Sequence, residues 1–459
     1  MEYQVNPNPK YYNFHGGIPP VPMEPGPAEI PASGPLTHPK HITDTTLRDG
    51  AQDPCFALFP SETKLKYFDL LHELDNGTGV INNVEVFIYQ KRDLWTLDKL
   101  LARGYDFPRV TTWTRATPKD IRDLVQVSGG KVTETGMLAS CSDHHILDRL
   151  NFRSKEEAVE KFLAPILTAC EHGITPRVHL EDATRADIEG WVIPFMRRVM
   201  AETKGKAYFR ICDTLGIGLP DPYAALPFGI PRLVSTLLRE SGAQLEFHGH
   251  NDFGCATANS MAAFRYGCKG VNAGFAGLGE RTGNAALEQV LINYIRQYGN
   301  PGLKLEVLME IADLIRAEVV AIPEKQPIIG SSIFTTQAGL HQTGIQRQSQ
   351  APGGLIYLPY DPHIVGRKET EPNRIGSLSG MDGIASLLNR YREASGSQEP
   401  QLTSVSRMVK HIYDHVHEAY DGRYDETHDR YIDYRTTFFD MDDLARLAAQ
   451  FQNGQPETP

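Results

Sequence analysis

From about residue 41 onward, short apolar runs alternate with longer amphipathic stretches. The runs are HITDTTL (41–47), NVEVFI (83–88), RVTTWT (109–114), VTETGMLA (132–139), TPRVHLE (175–181), KAYFRICD (206–213), QLEFHGH (244–250) and GVNAGFA (270–276). Each is rich in β-branched or aromatic residues and predicts a strand. Between the first two, PSETKLKYFDLLHEL places Leu65, Phe68, Leu71 and Leu74 at helical spacing. Ser154 and Glu157 form a candidate capping box ahead of AVEKFLAPILTACEHG, and Gly173 supplies its stop. Pro165 inside that stretch predicts a kink or a later start. Helices are also predicted over 222–240, 256–267 and 284–298. Strand followed by helix, eight times over about 250 residues, is the arithmetic of a (β/α)8 TIM barrel. A doubly wound open sheet is the alternative. It loses support because no GxGxxG follows the first strand and no GxxxxGKS/T occurs.

The flanks read differently. Residues 1–40 are too rich in Pro and Gly for an ordinary helix or central strand and predict an extended arm. Beyond residue 300 come a helix near 303–320, Gly- and Gln-rich connections, and helices near 382–395, 403–419 and 441–452, with a polar tail at 453–459. The expected division is therefore an arm (1–40), a barrel (41–300) and a mostly helical C-terminal region (301–459).

A chain of 459 residues can bury a large core without staples. No run of 18 apolar residues predicts a membrane helix, and the N-terminus lacks the basic and apolar regions of a secretory signal. The six cysteines are scattered, without a CxxC, which fits a reducing cytoplasm better than a disulfide framework. With 46 basic and 57 acidic residues the net charge is −11, a poor match for nucleic acid or an anionic membrane. A small anionic substrate needs only a local group of arginines.

In a barrel, functional residues sit at the C-terminal ends of the strands. Polar and charged residues collect there: Arg48, Asp49 and Gln52 after the first strand, Arg177, His179 and Glu181 on the fifth, Thr214 after the sixth, His248 and His250 on the seventh, and GLGERTGN (277–284) after the eighth. His248 and His250 are two apart on a strand and point to the same side. With Asp49 opposite, two nitrogens and a carboxylate oxygen suit Mn, Fe, Co or Zn and tolerate Mg less well. The alternative is a hydrogen-bonded histidine pair in a polar cleft, and HxH alone leaves both open. Arg48 is either a rim salt bridge or a fixed guanidinium aimed at developing oxyanion charge. Glu181 is either a buried partner of Arg177 or a general base. Asn284 either caps the next helix or reaches a metal.

DTTLRDGAQ (44–52), HGHNDFGCATAN (248–259) and GLGERTGN (277–284) resemble the signature motifs of the metal-dependent acyl-CoA Claisen enzymes. That group includes 2-isopropylmalate, homocitrate, citramalate and Re-type citrate synthases and 3-hydroxy-3-methylglutaryl-CoA lyase. The resemblance covers about residues 41–395 and implies a TIM barrel. It implies a divalent metal (Mn, Mg, Zn or Co) on Asp49, His248 and His250, with Asn284 as fourth ligand or near it. It further implies that Arg48 polarises a keto group and that Gln52, Arg177 and Thr214 line the substrate site. His179 stands where the family often has Ser or Thr. TQAGLHQTGI (336–345), IYLPYDPHIVGR (356–367) and GSLSG (376–380) resemble the synthase subdomain after the barrel. There His341 and Tyr357 match residues implicated in deprotonating the acetyl-CoA methyl, and a homodimer with a shared active site is implied.

The implied reaction is condensation of acetyl-CoA with a 2-oxo acid. Lyases of the group carry a reactive Cys in the loop after the eighth strand, and this loop has none, which disfavours retro-Claisen cleavage. Only about 60 residues follow 395, too few for the leucine-sensing domain of many isopropylmalate synthases. Trp113 stands where homocitrate synthases use a His, against 2-oxoglutarate. VEVFIYQKRD, YDFPRVTTW, ASCSDHHI, HLEDATRAD and CDTLGIGLP look most like the Re-type citrate synthase branch, whose substrate is oxaloacetate. Outside the resemblance, two His and one carboxylate also fit a non-haem iron oxygenase. A non-catalytic metabolite binder is disfavoured by the intact ligand set.

Overall fold

The computed structural model describes residues 26–28, 40–348, 357–367 and 373–452. Most of the arm, part of the IYLPYDPHIVGR segment and the tail at 453–459 lie outside the described residues. Eight parallel strands close into a barrel in sequence order: β1 (His41–Asp44), β2 (Ile81–Val86), β3 (Arg109–Thr114), β4 (Glu134–Ser140), β5 (Thr175–Glu181), β6 (Tyr208–Asp213), β7 (Leu245–Gly249) and β8 (Gly270–Ala273). β8 pairs back onto β1, His41 opposite Gly270 and Asp44 opposite Ala273. All eight predicted strands are present, and the TIM barrel expectation holds.

Helices α1 (Ser61–Asp75), α2 (Lys91–Ala102), α3 (Pro118–Ser128), α4 (Lys155–Glu171), α5 (Ile193–Glu202), α6 (Ile230–Ser241), α7 (Ala256–Tyr266) and α8 (Leu287–Tyr298) follow the strands. They bury apolar stripes such as Leu65, Phe68, Leu71 and Leu74 of α1. Ser154 caps α4 by accepting from the Glu157 N–H, and Pro165 is buried inside the helix without ending it. The helix expected over 222–240 starts only at Ile230. The segment before it holds Pro222, Pro227 and Gly229, and a Cβ on Gly229 would lie 2.2 Å from the Ala224 carbonyl oxygen.

Two compact units divide the chain, one ending at Ile322 (with Pro327–Ile329) and one formed by Pro323–Gln326 and the chain from Gly330 on. The boundary expected at 300 therefore moves. Helix α9 (Val307–Glu318) belongs with the barrel, because Glu318 accepts from Thr63 and Lys66 of α1 at 2.6 Å each. At the other end, the Ala28 N–H donates to the Pro222 carbonyl. The second unit contains α10 (Gly339–Gln348), α11 (Met381–Ala394), α12 (Arg407–Asp421), a hairpin of β9 (Arg423–Asp425) and β10 (Arg430–Ile432), and α13 (Met441–Gln452). Its core is Ile375, Ile384, Leu388, Val409, Ile412 and Leu444. Neither α10 nor the hairpin is predicted from the sequence.

Bulky branched side chains usually fill a barrel of this kind. Here charges do. Glu85, Arg177, Arg210 and Glu246 occupy β2, β5, β6 and β7 and are all within 1% of complete burial. Glu85 is the hub. One of its carboxylate oxygens accepts from Arg210 (2.7 Å) and from Arg177; the other accepts from Thr45 (2.8 Å) and Arg48 (3.1 Å). Arg210 also donates to Glu246 at 2.8 Å, and Arg177 to Glu134. These arginines hold Glu85 well below the usual carboxylate range against the opposing effect of burial.

Candidate active site

At the C-terminal end of β7, His248 and His250 face Asp49 from the turn after β1. Nε2 of His248 lies 3.2 Å from Nε2 of His250 and 3.4 Å from the Asp49 carboxylate, which is 3.9 Å from His250. One potential ligand atom from each residue falls within 4.8 Å of the others, and all three residues are buried. The orientation of His248 is set from behind. Asn272 donates through its amide nitrogen to the Thr43 carbonyl, so its oxygen is left to accept from His248 Nδ1 at 2.7 Å. His248 Nε2 therefore presents a lone pair inward, the arrangement typical of a metal-ligating histidine. Burial, with His250 alongside, depresses His248 to about 3, and burial also lowers His250. Both rings are neutral, as ligation requires. Asp49 is held below its usual range by the Arg48 guanidinium, against the opposing effect of burial.

Asn284 adjoins this group. Its amide nitrogen donates to the Leu278 carbonyl at 2.7 Å, while its buried oxygen has no partner, and its backbone bridges to His250. Two converging imidazole Nε2 atoms and a carboxylate, with an orphaned buried amide oxygen on a residue bridged to His250, fit a divalent cation. The glycines of GLGERTGN permit this approach. A Cβ on Gly279 would come within 2.3 Å of the Asn284 amide nitrogen, and one on Gly283 (φ +84) would collide with the Gly277 carbonyl.

Arg48 is clamped beside the site. It donates to Glu85 through Nε and Nη2 (3.3 and 3.1 Å), and its Nη1 lies 3.3 Å from Asp49. Gln52 is exposed. Thr214 accepts from the Asp182 N–H at 2.8 Å, and its carbonyl accepts from Arg281, whose guanidinium also grips Asp252. Arg177 and His179 are not at the surface of the cleft. Arg177 is fully buried, bonded to Glu85 and Glu134, and donates through Nε to His179 Nε2 at 3.2 Å. As a direct substrate contact Arg177 is thus corrected: its donors face the charges of the barrel interior.

Glu181 also departs from its expected role. Its carboxylate accepts from both terminal nitrogens of Arg149, one at 2.9 Å, and from the Ser140 hydroxyl at 2.5 Å, with His145 at 3.2 Å. These partners, His145 and Arg149 foremost, overcome burial and hold Glu181 at about 2. So acidic a group is a poor general base at neutral pH. Glu181 anchors Arg149, a residue that sequence reasoning missed because it lies on an irregular helical turn (His144–Arg149) without a motif. The folded value lies below the ordinary 4.5, so this anion's stabilising effect is present above pH 4.5 and lost as the pH falls towards 2. Glu181→Gln should therefore melt lower than wild type at pH 7, with the gap closing between pH 4.5 and 2 in a series of thermal scans.

Trp113 lies on β3 with its ring edge-on to Phe87. It lines a cavity of about 700 Å³ with Leu138, Leu150, Phe152, Phe162 and Ser140, the last being the donor to Glu181. In the second unit His341 and Tyr357, 16 residues apart in sequence numbering, stack with ring centroids 4.2 Å apart. Among the described residues no helix is long and apolar enough to cross a membrane.

Residues 40–315 match the family model described as HMGL-like. The chain is 38% identical over 360 residues to the citrate (Re)-synthase of Clostridium kluyveri, covering 76% of this chain and 77% of that protein. It is 34% identical to the citrate (Re)-synthase of Syntrophus aciditrophicus (81% of this chain, 60% of that one) and 32% identical to the 2-phosphinomethylmalate synthase of Streptomyces hygroscopicus (77% and 80%). A motif set in matching order, a closed barrel carrying it at one end, and a family match over more than half the chain agree: this protein belongs to the HMGL-like family.

Proposed function

We propose that the protein condenses acetyl-CoA with a 2-oxo acid and releases CoA, and that the acid is oxaloacetate and the product citrate. The observation that carries this reading is the convergence of the His248 and His250 imidazoles with the Asp49 carboxylate beside the clamped Arg48, and the backbone bridge of Asn284 to His250. The choice of oxaloacetate is supported by the two citrate (Re)-synthases among the relatives.

Asp49, His248 and His250 would hold a divalent ion, with Asn284 alongside; nitrogen and oxygen donors together favour Mn, Co or Zn over Mg. When bound, such an ion supplies Lewis acidity to a carbonyl group. The chain's own residues do the rest. Glu85 and Asp49 fix Arg48 so that its charge is in place for the negative charge that grows on the keto oxygen, without reorganisation. The stacked His341–Tyr357 pair takes a proton from the acetyl methyl, and a homodimer is part of the reading. The methyl carbon then bonds to the keto carbon, the resulting oxyanion gains a proton, and water cleaves the thioester to free CoA. Six free cysteines support a reducing compartment, and we place the protein in the cytoplasm.

The test is CoA release, followed with a thiol reagent, from acetyl-CoA with oxaloacetate, 2-oxoglutarate, 2-oxoisovalerate or pyruvate in turn. Oxaloacetate should give the highest kcat/KM by at least about tenfold, the scale of one 1.4 kcal/mol discriminating contact. Fastest release with another acid would overturn the substrate. Silence across all four with metal bound would overturn the condensation itself.

A further inference from the structure

The opposite end of the barrel carries a second, unexplained cavity of about 310 Å³. His41, Arg109, Glu134 and Tyr208, which line it, are the first residues of β1, β3, β4 and β6, and Lys269 directly precedes β8. The cavity therefore opens at the N-terminal mouth, a full strand length from His248 and His250. Three cations border it: Lys40, Arg109 and Lys269.

None of the three is matched by a carboxylate among the described residues. Lys40 is only 8% exposed, and its ammonium donates to the Cys268 carbonyl at 2.8 Å. Lys269 reaches the Gln244 side-chain oxygen at 3.3 Å, and the Arg109 guanidinium lies over the Phe107 ring at 5.0 Å. The single acid of the lining, Glu134, is bonded to Arg177 from the barrel interior. A largely buried ammonium whose partners are one neutral carbonyl and the face of the Phe264 ring at 6.0 Å is costly, and concave walls of low dielectric concentrate the field of unmatched cations. The surrounding charge thus calls for an anion. The volume sits at the bottom of the range of ligand pockets, about 300–1,000 Å³, which admits a small polyanion and excludes a nucleotide or coenzyme.

We propose that the N-terminal mouth of the barrel binds a small polyvalent anion, carboxylate or phosphate, through Lys40, Arg109 and Lys269. Such a ligand would rest against the head of a continuous series of ion pairs, Glu134 to Arg177 to Glu85 to Arg48, which ends beside Asp49. The site is independent of the assigned reaction, since none of its three cations belongs to the catalytic face.

The test is isothermal titration of the full-length, metal-loaded protein with inorganic phosphate, succinate and tricarballylate in separate arms. One equivalent of at least one anion should bind, and the tighter arm distinguishes a phosphate from a carboxylate source. Binding should weaken at least tenfold in Lys40→Met and in Lys269→Met. Arg109→Gln, an exposed substitution that leaves the core untouched, should also weaken it. His250→Ala should leave it unchanged. No binding in any arm would overturn the proposal. So would binding that survives in both Lys269→Met and Arg109→Gln, or that vanishes in His250→Ala alone.

Discussion

Arg48→Ala is expected to lower kcat for CoA release by about 10²–10³-fold, the usual cost of losing one preorganised oxyanion donor. The structure gives the reason that the loss falls on turnover. Arg48 is fixed by two hydrogen bonds to Glu85 and by contact with Asp49, so its charge is set before substrate arrives. None of the groups that would hold a metal is Arg48 itself, so metal content measured by emission spectrometry should stay at the wild-type stoichiometry. Arg48→Lys should recover little. A lysine ammonium is one point charge, while this arginine uses three nitrogens in a fixed plane to reach two carboxylates. Wild-type turnover in Arg48→Ala would contradict the role assigned to it.

The second large effect is on stability. Glu85→Gln should cost about 3–5 kcal/mol, the range for breaking a buried ion pair by removing one partner. Arg177 and Arg210 are both 0% exposed and both donate to the same Glu85 oxygen. A neutral amide at that point leaves two guanidinium charges inside the barrel with only Glu246 and Glu134 against them. Urea unfolding should show a lower midpoint. Adding Arg210→Met to Glu85→Gln should restore part of the loss, because the two residues share one network and their effects are not additive. An unchanged midpoint in Glu85→Gln would mean that the buried charges do not depend on this hub.

Much of this architecture is legible in the sequence, for identifiable reasons. Eight apolar runs at near-regular spacing give the barrel, and the two-residue period of a strand puts His248 and His250 on one side. The adjacency of Arg48 and Asp49 at a strand end marks the turn where the site forms. The barrel interior is harder to read. Glu85, Arg177, Arg210 and Glu246 each alternate with apolar neighbours, as a solvent-facing charge would, and their partners lie up to 125 residues away along the chain. Only the closure of β1 onto β8 reveals that this face of each strand points into a dry barrel. The same blindness explains Glu181. Its sequence position fits a base, but Arg149 and Ser140, which hold it as an anion, come from the turn and strand of a neighbouring unit of the barrel. The helix expected over 222–240 loses its first part, 222–229, for a local reason: the prolines and Gly229 override the apolar pattern.

The central claim is that condensation depends on a cation held by Asp49, His248 and His250. The most direct test strips the protein with a chelator and follows CoA release from acetyl-CoA and oxaloacetate before and after a divalent ion is restored. Release should fall to background in the stripped protein and return with about one ion bound per chain, since Asp49, His248 and His250 describe a single site. Full CoA release from protein shown to be metal-free would contradict the account.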